Sequence, residues 1–165
     1  MSCATLSNDN NQWVAGKMED RRRDRTPITE LALGKQLEHV AEEGGFSDVV
    51  VATHDGLMLA EAATHGRGEQ LAAMAGSLWE MRHTLTQKGC PNDITVHRML
   101  REDGSCISAR FFSYMDQDLV LMLTSPPDAN EKAYIERLSN GIQRILYEVS
   151  DEIVKADDGR DKFRS

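Results

Sequence analysis

From position 27 onward, apolar residues recur with periods that name the elements. Thr26-Pro27 is a helix-start signal, an N-cap residue followed by a proline whose missing N–H costs nothing in a first turn. Ile28, Leu31, Leu37, Val40 and Ala41 then repeat at helical spacing until Gly44-Gly45 ends the helix. Phe46 to Ala52 carries β-branched Val49, Val50 and Val51 on both faces, which predicts a strand covered on both sides. Asp55-Gly56 is a two-residue hairpin signal, and Leu57 to Ala62 returns as a second strand. A loop holding Gly66 and Gly68 leads into a second helix from Glu69 to Lys88. Its main stripe is Leu71, Met74, Ala75, Leu78, Arg82 and Leu85, and Gly89, Pro91 and Asn92 break it. Ile94 to Leu100, Cys106 to Phe112 and Leu119 to Leu123 predict three more strands, with turns at Asp103-Gly104 and Asp116 to Asp118. After Pro126-Pro127, Asp128 with Glu131 has the spacing of a capping box. Ile135, Leu138, Ile142, Ile145, Leu146, Val149 and Ile153 then form the stripe of a third helix. The chain reads as α+β, in the order α-β-β-α-β-β-β-α, with no internal repeat.

The two ends lack such periods. Residues 1–26 isolate Trp13 and Val14 among polar side chains and then carry a mixed charge cluster, Glu19 to Arg25. Their basic residues (Lys17, Arg21, Arg22, Arg23, Arg25) nearly balance their acids (Asp9, Glu19, Asp20, Asp24). This segment reads as a disordered, solvated tail. The domain is then 27–155, and the charged residues 156–165 read as a frayed C-terminus.

Composition narrows the classes. The 165 residues hold 40% hydrophobic side chains, enough for one core. The 27 acids against 19 Lys and Arg give a net charge of -8, which repels phosphate backbones, and aromatics at 5% leave little for base stacking. No nucleic-acid partner is expected. The longest apolar runs, such as Leu119 to Leu123, are too short to span a bilayer, so no membrane insertion is expected either. No secretory signal pattern opens the sequence, and Cys3, Cys90 and Cys106 form no CxxC. These features suit a reducing cytoplasm.

Little in the sequence asks for chemistry. His39, His54, His65, His83 and His97 make no HxH or HExxH spacing, so no metal site is expected. Gly66-Arg67-Gly68 lacks the third glycine of a dinucleotide loop and the GK[ST] end of a P-loop, and no serine stands in GxSxG. No catalytic residue and no cofactor are assigned. One feature does stand out on the second helix. Beside its main stripe runs a row of Ala72, Ala73, Gly76 and Trp79, ending at His83. A helix lying on a sheet needs one apolar face, so a second row calls for another partner. Small residues beside one large aromatic suit a self-association surface.

The stretch from Ile28 to Val154 resembles the Roadblock/LC7 family. FSDVVVATHDGLMLAEA (Phe46 to Ala62) supplies the strand, Asp-Gly turn and apolar strand of that pattern, and EQLAAMAGSLWEM (Glu69 to Met81) its alanine-rich second helix. The resemblance implies a five-stranded antiparallel sheet, a profilin-like sandwich with the second helix on one face and the first and third on the other. It also implies a homodimer through the second helix and third strand, which brings Ile94 and Val96 beside Ala72, Ala73, Gly76, Trp79 and His83. The function it implies is non-enzymatic: a regulatory or scaffold dimer that binds a small Ras-like GTPase and modulates its nucleotide cycle. Arg67, between two glycines, is the one loop arginine placed to contact such a partner. The alternative is a small-ligand sensor or minor enzyme using a pocket between sheet and helices.

Overall fold

The central strands carry apolar side chains on both faces because helices cover both sides of them. A computed structural model describes residues 27–63, 65–90 and 95–161, with side chains over 29–62, 65–90 and 95–151. The chain runs α1 (Pro27–Gly44), β1 (Asp48–Thr53), β2 (Met58–Ala63), α2 (Gly68–Gln87), β3 (Val96–Leu100), β4 (Cys106–Tyr114), β5 (Gln117–Ser125) and α3 (Glu131–Asp161). The strands form one sheet in the order β2-β1-β5-β4-β3, antiparallel at every pairing. This is the α+β arrangement that the sequence predicts.

Two cores flank the sheet. Val49, Val51, Leu121 and Leu123 point toward α1 and α3, where they meet Leu33, Leu37, Val40, Ile135, Leu138 and Ile142. Their strand neighbours Val50, Ala52, Val120 and Met122 point the other way, toward Leu71, Ala72, Ala75 and Leu78 of α2. The alternation of a pleated strand thus sends one apolar run into both cores. Helices α1 and α3 are clamped at their rim by Arg137, whose guanidinium donates to both carboxylate oxygens of Glu43.

Several details differ from the sequence expectation. The β1–β2 loop has three residues, His54, Asp55 and Gly56: the Thr53 N–H donates to the Leu57 carbonyl at 2.9 Å, and Gly56 takes φ +82°. A glycine in this left-handed conformation closes a three-residue loop, where the type I′ turn that Asp-Gly favours would have needed positive φ at both positions. The register also shifts between Val51 and Ala52. The β4–β5 hairpin is longer than the apolar run suggests. Tyr114 pairs with Gln117, so the turn is Met115-Asp116, with Met115 at φ +51°. Helix α3 continues to Asp161, past Ala156 and through Gly159. Glu131 makes no capping box. As the first residue of α3 it turns its carboxylate into the sheet, taking hydrogen bonds from Ser108 (2.7 Å) and Ser125 (3.0 Å).

Candidate functional site

Strand β3 lies at the edge of the sheet and pairs with β4 alone among the described residues. The Phe111 N–H donates to the Thr95 carbonyl and the Arg101 N–H to the Ser105 carbonyl, both at 2.9 Å. Hydrogen-bonded positions on this strand are therefore odd-numbered. Val96, Arg98 and Leu100 turn their backbone N–H and C=O groups away from β4, toward the open edge. Their side chains share the face of α3. Arg98 is ion-paired with the buried Glu131, whose charge holds the guanidinium above its already high pKa. Val96 is 36% exposed and Leu100 80% exposed.

On the opposite face, β3 and β4 meet the end of α2 in a cluster of rings and one cation. His97 stands edge-on to Phe111 with centroids 5.7 Å apart, and its buried Nε2 has no hydrogen-bond partner among the described residues. Trp79 lies 5.9 Å from Phe111 and 6.0 Å from His54. The Arg82 guanidinium covers both large rings, at 4.8 Å from Trp79 and 5.3 Å from Phe111. Such a cation over an aromatic face gains about 0.5–1 kcal/mol where water still reaches it. Met81 is exposed on the adjoining turn of α2. The result is an apolar and cationic rim beside an unpaired strand edge, suited to packing rather than to bond-making.

The row read from the sequence is divided by the structure. Ala72 is 2% exposed and belongs to the core under α2, so it offers nothing to a partner. Gly76 faces the β1–β2 turn: a Cβ built on it would lie 3.2 Å from the Gly56 nitrogen. Its small size admits that turn, which explains the residue within one chain. Trp79 is partly buried at the rim of the α2 core, while Ala73 is exposed and His83 is exposed and paired with Gln87 at 2.8 Å. Ile94 lies outside the described residues. Arg67 stands apart from this rim, bound to Asp48 at the start of β1 at 2.9 Å. Sequence reasoning missed Phe111, His97 and Arg82, which carry the cluster. The alternation of Ile107, Ala109 and Phe111 along β4 was the available signal for the first.

Among the described residues, no three His, Cys, Asp or Glu side chains are grouped to hold a metal ion, and no helix is long and apolar enough to cross a membrane.

The layers, strand order and helix placement define a Roadblock/LC7-like fold. The chain is similar to Myxococcus xanthus MglB, with a TM-score of 0.59 and 12% identity over 75% of this chain and 93% of that one. It is similar also to the gliding protein MglB of Thermus thermophilus, at 0.61 and 15% over 75% and 95%. A Roadblock/LC7 domain from Streptomyces avermitilis superposes at 0.58, with 12% identity over 71% and 97%. No family model matches the chain, and no curated protein matches it in sequence.

Proposed function

We propose that this protein is a non-catalytic regulatory or scaffold module of the cytoplasm, which pairs with a second copy of itself through β3 and α2 and engages a small Ras-like GTPase. The observation that carries the pairing is the open edge of β3, whose outward backbone groups at Val96, Arg98 and Leu100 lie beside the Trp79–Arg82–Phe111 rim. An unpaired strand edge is a template for a further strand, and a neighbouring aromatic rim supplies the desolvated area that backbone bonds alone do not. Two protomers joined in this way form one sheet of ten strands, five from each. The GTPase part of the reading rests on the fold likeness to MglB and to the Roadblock/LC7 domain. Light scattering at micromolar concentration is expected to give twice the 18.4 kDa chain mass. A titration against the cognate GTPase, loaded with GDP or a non-hydrolysable GTP analogue, tests the second half. Unequal affinities support regulation, since a partner shifts a switch only by its differential affinity for the two states. Equal affinities leave a plain scaffold, and a monomer removes the self-pairing.

A further inference from the structure

At the end of the sheet away from β3, a cavity of about 450 Å³ opens between α1, α3 and the β1–β2 and β4–β5 turns. Leu33, Leu57, Leu59, Leu146 and Val149 make its apolar wall. Its charge is one-sided: among the described residues Glu30, Asp55, Asp116 and Asp118 line it, and no lysine or arginine does. Four carboxylates around an apolar pocket favour a basic occupant with an apolar anchor. Thr29 and Glu30, in the first turn of α1, form part of this wall, so α1 begins at the cavity, and residues 1–26 are the chain that precedes it in sequence.

That preceding chain has the complementary chemistry. Residues 21–25 carry four arginines against one acid, Asp24, a net +3 that follows the acids Glu19 and Asp20 and stands within a few residues of Glu30 on the acidic rim, and Trp13-Val14 is the apolar pair further back. Between Trp13 and Thr29 an extended chain reaches roughly 50 Å, ample to fold back into a cavity beside its own root. A tethered segment binds at high effective concentration, so modest contacts suffice. We propose that the cavity is the docking site of this chain's own N-terminal segment, with Trp13-Val14 against the apolar wall and Arg21–Arg25 against the acidic rim. A lack of helical or strand period in residues 1–26 is compatible with an extended peptide lying in a pocket. The β1–β2 turn lines the cavity and also places His54 against Trp79, so occupancy bears on the α2 rim through one shared loop.

The test uses the full chain. With Trp79→Phe, Trp13 is the only tryptophan left. Its emission is expected to be blue-shifted, with acrylamide quenching several-fold below that of a free tryptophan derivative. Reversing the exposed rim with Glu30→Lys and Asp116→Lys is expected to shift the emission red and raise quenching several-fold, with the far-UV spectrum unchanged. Trypsin cleavage at Arg21–Arg25 supplies a second readout in the chain with Trp79 intact, slow without the rim changes and several-fold faster with them. Trp13 as quenchable as the free derivative, together with equal cleavage rates, overturns the proposal. An exposed Trp13 with a small molecule retained in native mass spectrometry also overturns it, and gives the cavity to a diffusible ligand.

Discussion

Glu131 sits at the junction of α3, β4 and β5, where a carboxylate survives burial because Ser108, Ser125 and Arg98 surround it. Removing it takes the carboxylate acceptor from Ser108, leaves Ser125 with its longer bond to the Cys106 carbonyl (3.3 Å), and leaves Arg98 without its counter-charge. Glu131→Ala is expected to cost about 1–3 kcal/mol, read as a lower urea midpoint at unchanged slope. The sequence showed only an acid three residues after Asp128, a spacing shared by a capping box and by a side chain turned into the sheet. Which of them forms depends on two serines on distant strands, and no local pattern carries that information. Gly56 was legible in kind but not in consequence. Its φ of +82° is one that side chains resist, and a Cβ there would lie 3.1 Å from the Ala72 carbonyl. Gly56→Ala is therefore expected to lose about 1–2 kcal/mol in thermal unfolding, both by left-handed strain and by pushing the turn off α2.

The elements most readable from the sequence were those with the strongest periods. Val49 to Val51 and Leu119 to Leu123 proclaim strands buried on both faces, and they are the interior strand β1 and the central strand β5. The α2 row was read less well for a physical reason: an alanine or glycine on a helix records that something comes close, but not what. Here the β1–β2 turn comes close to Gly76 and the sheet to Ala72, so the self-pairing reading shifts to the edge of β3. That edge can be tested alone. The Leu100 N–H points away from β4, so a proline there removes a donor that the monomer does not use. Leu100→Pro is expected to keep the fold, seen in an unchanged far-UV spectrum, while halving the mass in light scattering. A dimer that persists would move the interface off β3. The clamp between α1 and α3 makes a different prediction. The hydrogen bond from Arg137 holds the Glu43 carboxyl below its usual pKa. A lowered folded-state value stabilises above the ordinary glutamate range, near pH 4.3, and the gain is lost as pH falls through the lowered value. Arg137→Ala should flatten the acid limb of the melting temperature between roughly pH 5 and pH 3, and salt should mimic it, because the pair is exposed.

For the molecule as a whole, the proposed regulation of a GTPase can be argued as a contributed charge or as shape. Phosphoryl transfer is accelerated by an arginine that reaches the γ-phosphate, so a candidate must be able to leave its own fold. Arg67 was the sequence's candidate, and the structure ties it down. Its guanidinium meets Asp48 at 2.9 Å, and that carboxylate is 1% exposed at the first position of β1. Withdrawing Arg67 would leave the buried Asp48 carboxylate, among the described residues, with the Ser47 hydroxyl at 3.3 Å beside it. Water reaches the arginine, which is 40% exposed, so the cost of the break falls below that of a fully buried pair. About 1–3 kcal/mol is the expected loss for Arg67→Ala in urea unfolding. The same sum opposes any excursion of Arg67 toward a nucleotide, since the excursion breaks the pair just as the mutation does. The proposed regulator is then expected to work by favouring one switch conformation of its partner. Accordingly, Arg67→Ala should lower stability while leaving GTPase affinity, and any stimulation of hydrolysis per bound complex, within about twofold of the unmutated chain. The measurement is single-turnover hydrolysis at saturating regulator, with the complex confirmed by titration. Stimulation lost while binding is intact would instead assign Arg67 to the phosphate, with Asp48 as the latch that holds it until the partner docks.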